Sequence, residues 1–301
     1  MTCIDIIRPI LPDVLAEEPL SRHTSFRVGG PAEVFARPKT TEAFAKIIEA
    51  CKLHKLPLTI LGDGTNVLVM DDGLRGVVIS TTKMNEVKIL DNNRISAQAG
   101  AKLARVAEIA AKAGLTGFEF ASGIPGTVGG AICMNAGAYD GTVGDFCESV
   151  VLLDKSIFTK PGTEMGFGYR ESIVQNSNLL VLEATFKLNP GNEADIRSKM
   201  TDLNNRRRAS QPLEFPSAGS TFKRPPGYFA GKLIEDSGLK GFSVGGAQVS
   251  EKHAGFVINT GNATAQDIFG LICAVRNRVH ENFGVWLEPE VRILGGGECA
   301  L

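Results

Sequence analysis

With 301 residues the chain exceeds what one small core organises, so two or three domains are expected. Its 32 basic and 33 acidic side chains nearly cancel, and no basic stripe or like-charge tail occurs, which argues against nucleic-acid binding and makes any anion site local. The six cysteines form no CxxC pair and the four histidines are scattered, which argues against a zinc cluster, and no apolar run reaches the length of a membrane span.

In chain order, residues 1–20 carry Asp5, Pro9, Pro12 and Asp13 within their apolar part and read as a short lead segment, not a signal peptide. A reduced, cytoplasmic protein is expected. Most of Cys3, Cys51, Cys133, Cys147, Cys273 and Cys299 sit in apolar stretches and should pack as small hydrophobes. "TTEAFAKIIEACKLH" has Phe44, Ile47, Ile48 and Cys51 at helical spacing behind an N-cap at Thr40 or Thr41. "LPLTIL", "VLVM" and "GVVIS" read as strands separated by the turns "GDGTN" and "DDG". "AKLARVAEIAAKAG" is a second helix, with Leu103, Val106, Ala107 and Ala110 inward and Gly114 as its stop. A glycine-rich stretch without helical or strand period follows, then the strands "SVVLLD" and "NLLVLEATFKL".

"NEADIRSKMTDLNNRRR" is a helix with Ile196, Met200 and Leu203 inward; the cations of its closing "RRR" suit the helix dipole. A proline-rich loop, "QPLEFPSAGSTFKRPPG", marks a domain boundary. "AGKLIEDSG" is a short helix and "GFVIN" a strand. "TAQDIFGLICAVRNRVHENFG" is the clearest helix: Thr264 and Asp267 form an acidic capping box, Ile268, Leu271, Ile272, Val275 and Val279 form the stripe, and Gly284 ends it. "VWLEPEVRIL" reads as a last strand, with Val285, Leu287, Val291 and Ile293 on one face and Trp286, Glu288, Glu290 and Arg292 on the other. The irregular mixture of strands and helices predicts an α+β fold.

Two glycine loops carry the functional signal. "GDGTN", Gly62 to Asn66, follows a strand but lacks the third glycine and the helix of a dinucleotide fingerprint, and no P-loop occurs. It is either a plain hairpin turn or one that aims backbone N–H groups at a phosphate. The stretch "ASGIPGTVGGAICMNAGAY" from Ala121 to Tyr139 has five glycines and no charge. Gly123, Gly126, Gly129 and Gly130 let backbone approach a ligand closely, Ser122 and Thr127 add hydroxyls and Asn135 an amide. A large nucleotide cofactor and a structural turn region both remain open on these residues alone.

The joint occurrence, in order, of "HTSFRVGGPA", "GDGTN", "SGIPGTVGGAICMNAGAY", "YRES", "SAGSTFKRP" and "EPEVRILG" resembles the UDP-N-acetylenolpyruvoylglucosamine reductase family over nearly the whole chain. The resemblance implies a flavin-binding part of two α+β subdomains (PCMH/vanillyl-alcohol-oxidase-like) and a separate α+β substrate domain. The lead segment would be 1–20, the FAD-binding domain 21–205 with subdomains of about 21–85 and 86–205, and the substrate-binding domain 206–301. It implies noncovalent FAD and NADPH as reductant, with UDP-N-acetylglucosamine enolpyruvate as substrate. It implies a step of peptidoglycan synthesis and no metal, nucleic acid or membrane partner. FAD would meet Gly62, Asp63, Gly64, Thr65 and Asn66, then Ser122, Gly123, Ile124, Pro125, Gly126, Thr127, Gly129, Gly130, Asn135, Gly137 and Ala138. Asp63 stands where a glycine is common in the family, and its carboxylate should turn away from phosphate. The stretch after "YRES" is short, as in the subclass lacking a tyrosine loop insertion.

By the same resemblance, Arg170 is the catalytic arginine, Ser220 the proton donor and Glu290 the catalytic glutamate. Arg207, Arg224 and Arg292 meet the substrate's anionic groups. On the residues alone, Lys232 opens a short helix and reaches substrate or solvent, and His253 either lies near the site or, as a lone histidine more often does, is structural. The implied chemistry adds a hydride and a proton across an enolpyruvyl C=C bond, and a guanidinium suits the carboxylate on which charge then develops. Two rivals are a flavin oxidase of the same fold and a noncatalytic nucleotide-sugar or flavin-binding protein.

Overall fold

The computed structural model describes residues 2–296, so Cys299 lies outside the described residues. The described chain forms two compact units, one of residues 2–14, 36–63 and 78–207, the other of 15–35, 64–77 and 208–296.

The first unit holds helices α1 (Cys3–Ile7), α2 (Thr41–Leu53), α3 (Leu103–Lys112), α4 (Val128–Met134) and α5 (Glu193–Ser210), whose last turn crosses the division between the units. α1 lies in the expected lead segment. α2 starts as expected, the Thr40 hydroxyl accepting the Ala43 N–H at 3.2 Å, and buries Phe44, Ile47, Ile48 and Cys51. Burial pushes the Cys51 thiol up to about 11 and the Cys147 thiol up to about 12, so both behave as small hydrophobes. A five-stranded antiparallel sheet runs in the order Ile157–Pro161, Cys147–Leu153, Leu180–Lys187, Arg94–Gln98, Val87–Leu90. Its register sets Val150 opposite Ala184 and Ala184 opposite Ala97, and these side chains join Ile95, Leu152 and Phe186 in the core. α3 lays Leu103, Val106, Ala107 and Ala110 into that core and stops at Gly114, whose φ is +66°.

The glycine stretch differs from expectation, because it contains α4. Val128, Ala131 and Ile132 stand at i, i+3 and i+4 and are buried, so a helical period was present but hidden by glycines on the other face.

The second unit holds α6 (Ala230–Asp236), α7 (Ala265–Phe283) and an antiparallel sheet of Ser243–Val244, Ala247–Val249 and Val257–Asn259. α7 matches its expected stripe and capping box, and Gly284 closes it with φ +70°. Burying each of Ile268, Leu271, Ile272, Val275 and Val279 contributes about 1.5–3 kcal/mol before chain entropy. The Asp71 carboxylate accepts from the Ala265 and Gln266 N–H groups, both at 3.0 Å, and so caps the same helix from a distant segment. Only Arg292–Leu294 of the expected last strand is a strand, paired in parallel with Val67–Val69. Inside–outside alternation holds from Val285 to Glu288 and lapses at Pro289 and Glu290, both partly buried; Pro289 brings no N–H, and the 285–291 backbone finds only isolated pairings. Leu68 joins the core of α7, which is why 64–77 groups with the C-terminal residues in compactness.

Candidate active site

In the first unit the glycine stretch lies along residues 99–103. The Leu103 N–H donates to Gly126 O at 3.0 Å, Val128 to Ala101 O at 2.8 Å and Gly129 to Ala99 O at 2.8 Å. The Gly129 N–H is therefore spent within the chain. A Cβ on Gly129 would lie 3.1 Å from the Ala99 Cβ, one on Gly123 2.5 Å from Asn204 Oδ1, and one on Gly137 2.7 Å from Gly141 O. Backbone packing thus requires the glycine at Gly137, Gly129 is tightly packed, and at Gly123 the Asn204 side chain would have to turn aside. Gly126 is required for its φ of +113°.

Gly130 is different. A Cβ there would meet only Thr127 Oγ1, at 3.8 Å, and the residue is exposed. Thr127 is 3% exposed, and its hydroxyl is buried without a hydrogen-bond partner. A Cβ on Gly62 would stand 2.4 Å from that same oxygen. Gly62, Thr127 and Gly130 thus surround one unsatisfied hydroxyl, a state that costs about 1–3 kcal/mol until an acceptor arrives. The chemistry of these residues would suit a phosphate group: the hydroxyl has a proton to give, and Gly130 puts no side chain in the way. The Asp63 carboxylate lies 3.4 Å from Lys102 Nζ.

α5 docks on this stretch along one face, with Lys199, Leu203 and Arg207 at i, i+4 and i+8. The Lys199 ammonium is 3.4 Å from the buried Glu119 carboxylate, which also accepts from the Thr116 hydroxyl at 2.5 Å and the Gly117 N–H at 3.1 Å. Tyr139 OH donates to Leu203 O at 2.7 Å and Asn204 Nδ2 to Ser122 Oγ at 3.2 Å. Ile124 packs on the core, Pro125 is exposed, and Gly137–Ala138 pairs with Gly141–Thr142. Arg207 lies beside Gly123, and burial pulls its guanidinium below the ordinary value, which favours an anionic neighbour there. Of the arginine run, Arg206 pairs with Asp202 at 2.8 Å.

Arg170 sits on a tight turn closed by paired N–H···O bonds between Gly168 and Glu171, of 3.1 and 3.4 Å. Its φ is +56°, a position where glycine is the usual occupant. Asn135, Ser172 and Gln175 tie this turn to the end of α4; sequence reasoning assigned no role to the last two, Ser172 because only the arginine of "YRES" was singled out and Gln175 because it belongs to no recognisable pattern.

In the second unit, the Gly64 turn is bound to residues 23–25. Its φ is +63°, a Cβ would lie 2.0 Å from His23 O, and the Ser25 N–H donates to Gly64 O at 3.0 Å. Thr65 is half-buried. Asn66 Nδ2 donates to Glu290 O at 3.0 Å and Asn66 O accepts from the Arg292 N–H at 3.0 Å. The Asn66 amide, expected at the cofactor, therefore holds the Glu290 backbone.

Ser220 follows Gly219, whose φ of +77° makes a turn. The next residue, Thr221, is fully buried: its N–H donates to Gly255 O at 2.8 Å, its hydroxyl accepts from the Val257 N–H at 3.0 Å, and its carbonyl accepts from the Glu290 N–H at 2.8 Å. The Lys223 N–H donates to Glu288 O at 2.8 Å, and Lys223 Nζ reaches Glu288 Oε1 at 2.5 Å. These bonds set residues 221–223 against 288–290 and bring Ser220 and Glu290 to adjoining backbone segments. Ser220 is exposed, whereas Thr221 has its hydroxyl committed.

The remaining expected cations are Arg224, Lys232 and Arg292. Arg224 lies 3.9 Å over the Phe229 ring, Lys232 pairs with Asp236 at 2.5 Å, and Arg292 is exposed. The His253 Nδ1 accepts the Gly255 N–H at 3.1 Å and burial pushes its pKa down, in keeping with a structural role. No group of three or more metal-ligating side chains occurs among the described residues, and no helix there is long and apolar enough to cross a membrane.

Comparison with known proteins matches two regions of the chain. Residues 32–156 match the model of an FAD binding domain, and 211–294 that of the UDP-N-acetylenolpyruvoylglucosamine reductase C-terminal domain. The reductase of Caldanaerobacter subterraneus is 51% identical over 296 residues, covering 97% of this chain and 98% of its own; that of Clostridium botulinum is 51% identical over 285 residues, covering 94% and 93%. The crystal structure of the enzyme from Thermus caldophilus superposes with a TM-score of 0.79 at 33% identity, over 94% of this chain and 98% of that one. A Phl p 4 variant, a glucose oxidase, shares the fold at 14% identity and a TM-score of 0.50, over 63% of this chain and 44% of that one. On these likenesses, the chain belongs to the UDP-N-acetylenolpyruvoylglucosamine reductase family.

Proposed function

We propose that this FAD-dependent oxidoreductase reduces UDP-N-acetylglucosamine enolpyruvate to UDP-N-acetylmuramate with electrons from NADPH, as a cytoplasmic step of peptidoglycan synthesis. FAD, when bound, supplies the hydride. Gly62, Thr127 and Gly130 hold its pyrophosphate, and the packed glycines around them give the cradle its shape. The flavin-binding function is carried by residues 21–205 and the substrate-binding function by 206–301, a division supported by the two matched regions.

Hydride addition to the terminal enolpyruvyl carbon develops charge on the neighbouring carbon and its carboxylate. Arg170 stabilises that charge, its left-handed backbone presenting a guanidinium from a rigid turn. Ser220 delivers the proton to the carbon bearing the carboxylate. Glu290 supports this step from the backbone segment that Thr221 and Asn66 fix. Arg207, Arg224 and Arg292 bind the nucleotide's anionic groups, with Lys232 at their margin.

The observation that carries the proposal is the contrast at 220–221. One hydroxyl is fully buried, where it accepts the Val257 N–H and is shut off from any ligand, while its neighbour is exposed beside the segment of Glu290. The test is anaerobic addition of NADPH to the purified yellow protein, followed by substrate. Bleaching and then return of colour on adding the enolpyruvyl ether is expected. Recolouring by oxygen alone would indicate an oxidase, and no bleaching a binding protein. One site serving both ligands in turn predicts ping-pong kinetics.

A further inference from the structure

The backbone at Arg170 is costly. An arginine at φ +56° forgoes roughly 1–2 kcal/mol against an ordinary conformation, and such residues persist only where their surroundings over-determine them. Here the surroundings come from one place, the C-terminal end of α4.

Asn135, itself left-handed at φ +43°, is 6% exposed. Its Oδ1 accepts the Gly144 N–H at 2.9 Å. That backbone group can only donate, so the amide orientation is settled, and Nδ2 must face the Gly168 carbonyl, to which it donates at 2.9 Å. Gln175 Nε2 donates to the Arg170 carbonyl at 2.6 Å and to Cys133 O at 2.9 Å. The Ser172 hydroxyl donates to the same Cys133 O at 2.8 Å. Cys133 O is one of the helix-end carbonyls that lack an intrahelical partner, so the turn and the helix end satisfy one another. The carbonyls of Gly168 and Arg170, before and at the strained residue, are thus each held by a side-chain amide.

We propose that Asn135 and Gln175 are positioning residues for Arg170, holding its turn in the left-handed conformation that the reaction uses. The assignment rests on the reading of Arg170 as the carboxylate-stabilising residue. It moves Asn135 from cofactor contact to a structural link between the glycine-stretch helix and the catalytic arginine, because both ends of its amide are engaged within the protein. A misplacement of about 1 Å at such a group costs on the order of 10²-fold in rate.

The test uses the holoenzyme, reduced anaerobically with dithionite so that NADPH plays no part, then mixed with UDP-N-acetylglucosamine enolpyruvate in stopped flow. Gln175→Leu keeps the shape and removes both donated bonds. It should slow flavin reoxidation by about 10- to 100-fold while flavin content and visible spectrum stay as in the parent. In an Arg170→Ala background the same substitution should slow reoxidation no further, which a general loosening of the fold would not produce. Amide exchange at Glu171 should accelerate in Gln175→Leu. If Gln175→Leu does not fold, Asn135→Asp carries the same cycle, since it keeps the acceptor for Gly144 and loses the donor to Gly168. A parent-like rate, loss of flavin, or an equal further loss in the Arg170→Ala background would overturn the proposal. If the parent itself is not reoxidised by the substrate, the functional reading falls first and the role of Arg170 with it.

Discussion

In the glycine stretch, backbone bonds run to a segment a short way up the chain: Leu103 to Gly126, Val128 to Ala101, Gly129 to Ala99. In the segment that carries Ser220, the partners come from far along the sequence. Thr221 bonds to Gly255, Val257 and Glu290, Lys223 to Glu288, and Asn66 holds the Glu290 carbonyl. The first region is a continuous motif whose glycines divide into packing positions and one open position. The second has no motif of its own beyond a turn, and long-range pairing assigns its roles. Residue type is therefore a poor guide within either region: adjacent hydroxyls do different work, and so do adjacent glycines.

The sharpest way to break this comparison lies at the two hydroxyls. Ser220→Ala should retain flavin and stability yet lose about 10²-fold or more in substrate reduction, the scale of a lost general acid. Thr221→Val should do the reverse, costing about 1–3 kcal/mol because the buried Val257 N–H is stranded, with the rate per folded active site retained. Stopped-flow absorbance and thermal melts, read on both variants, would exchange these outcomes if the roles were swapped.

The glycines come next. Gly130→Leu should yield colourless protein that melts like the flavin-free parent, since its side chain enters open space in a helix. Gly129→Leu should instead lose about 1–3 kcal/mol through collision with Ala99. Full flavin occupancy in Gly130→Leu would remove the cradle from around Thr127.

Glu119 sharpens the account of how α5 is held. Burial alone would raise its pKa, but the Thr116 hydroxyl, its own and the Gly117 N–H, and the Lys199 ammonium together hold it below the ordinary value. The folded pKa is the lower one, so its stabilisation is present above the unfolded value near pH 4.5 and is lost as pH falls through the folded one. Acid melts of Glu119→Gln should start lower, by roughly 1–3 kcal/mol, and lose part of the parent's slope below that pH. An unchanged slope would show that other carboxylates set it.

The smallest effect is expected at Lys102. Its exposed pair with Asp63 contributes about 0–1 kcal/mol, so Lys102→Met should scarcely shift the melting temperature. Releasing the Asp63 carboxylate beside the cradle should weaken flavin retention modestly, and more so at low salt, as dialysis at two ionic strengths would register. Salt-independent retention would separate Asp63 from the phosphate site.

Much of the helical structure was legible because its signals are local. α2, α3 and α7 matched in stripe, and in α7 also in capping box and closing glycine. α4 was missed because three apolar residues set a period that Gly129, Gly130 and Cys133 between them obscure. The last strand was overextended because alternation of side chains records burial, whereas a strand needs backbone partners that residues 285–291 find only singly.

The sequence by itself determined the family, the α+β class, the long helices and the two glycine loops, since each is written in contiguous residue types whose chain geometry is local. Only the tertiary structure decided which hydroxyl is spent and which is exposed, which glycine faces open space, and that Asn66 and Asn135 serve the backbones of Glu290 and the Arg170 turn. Those outcomes depend on satisfying buried donors and acceptors supplied by distant segments, and a polar group's partner is not encoded at its own position.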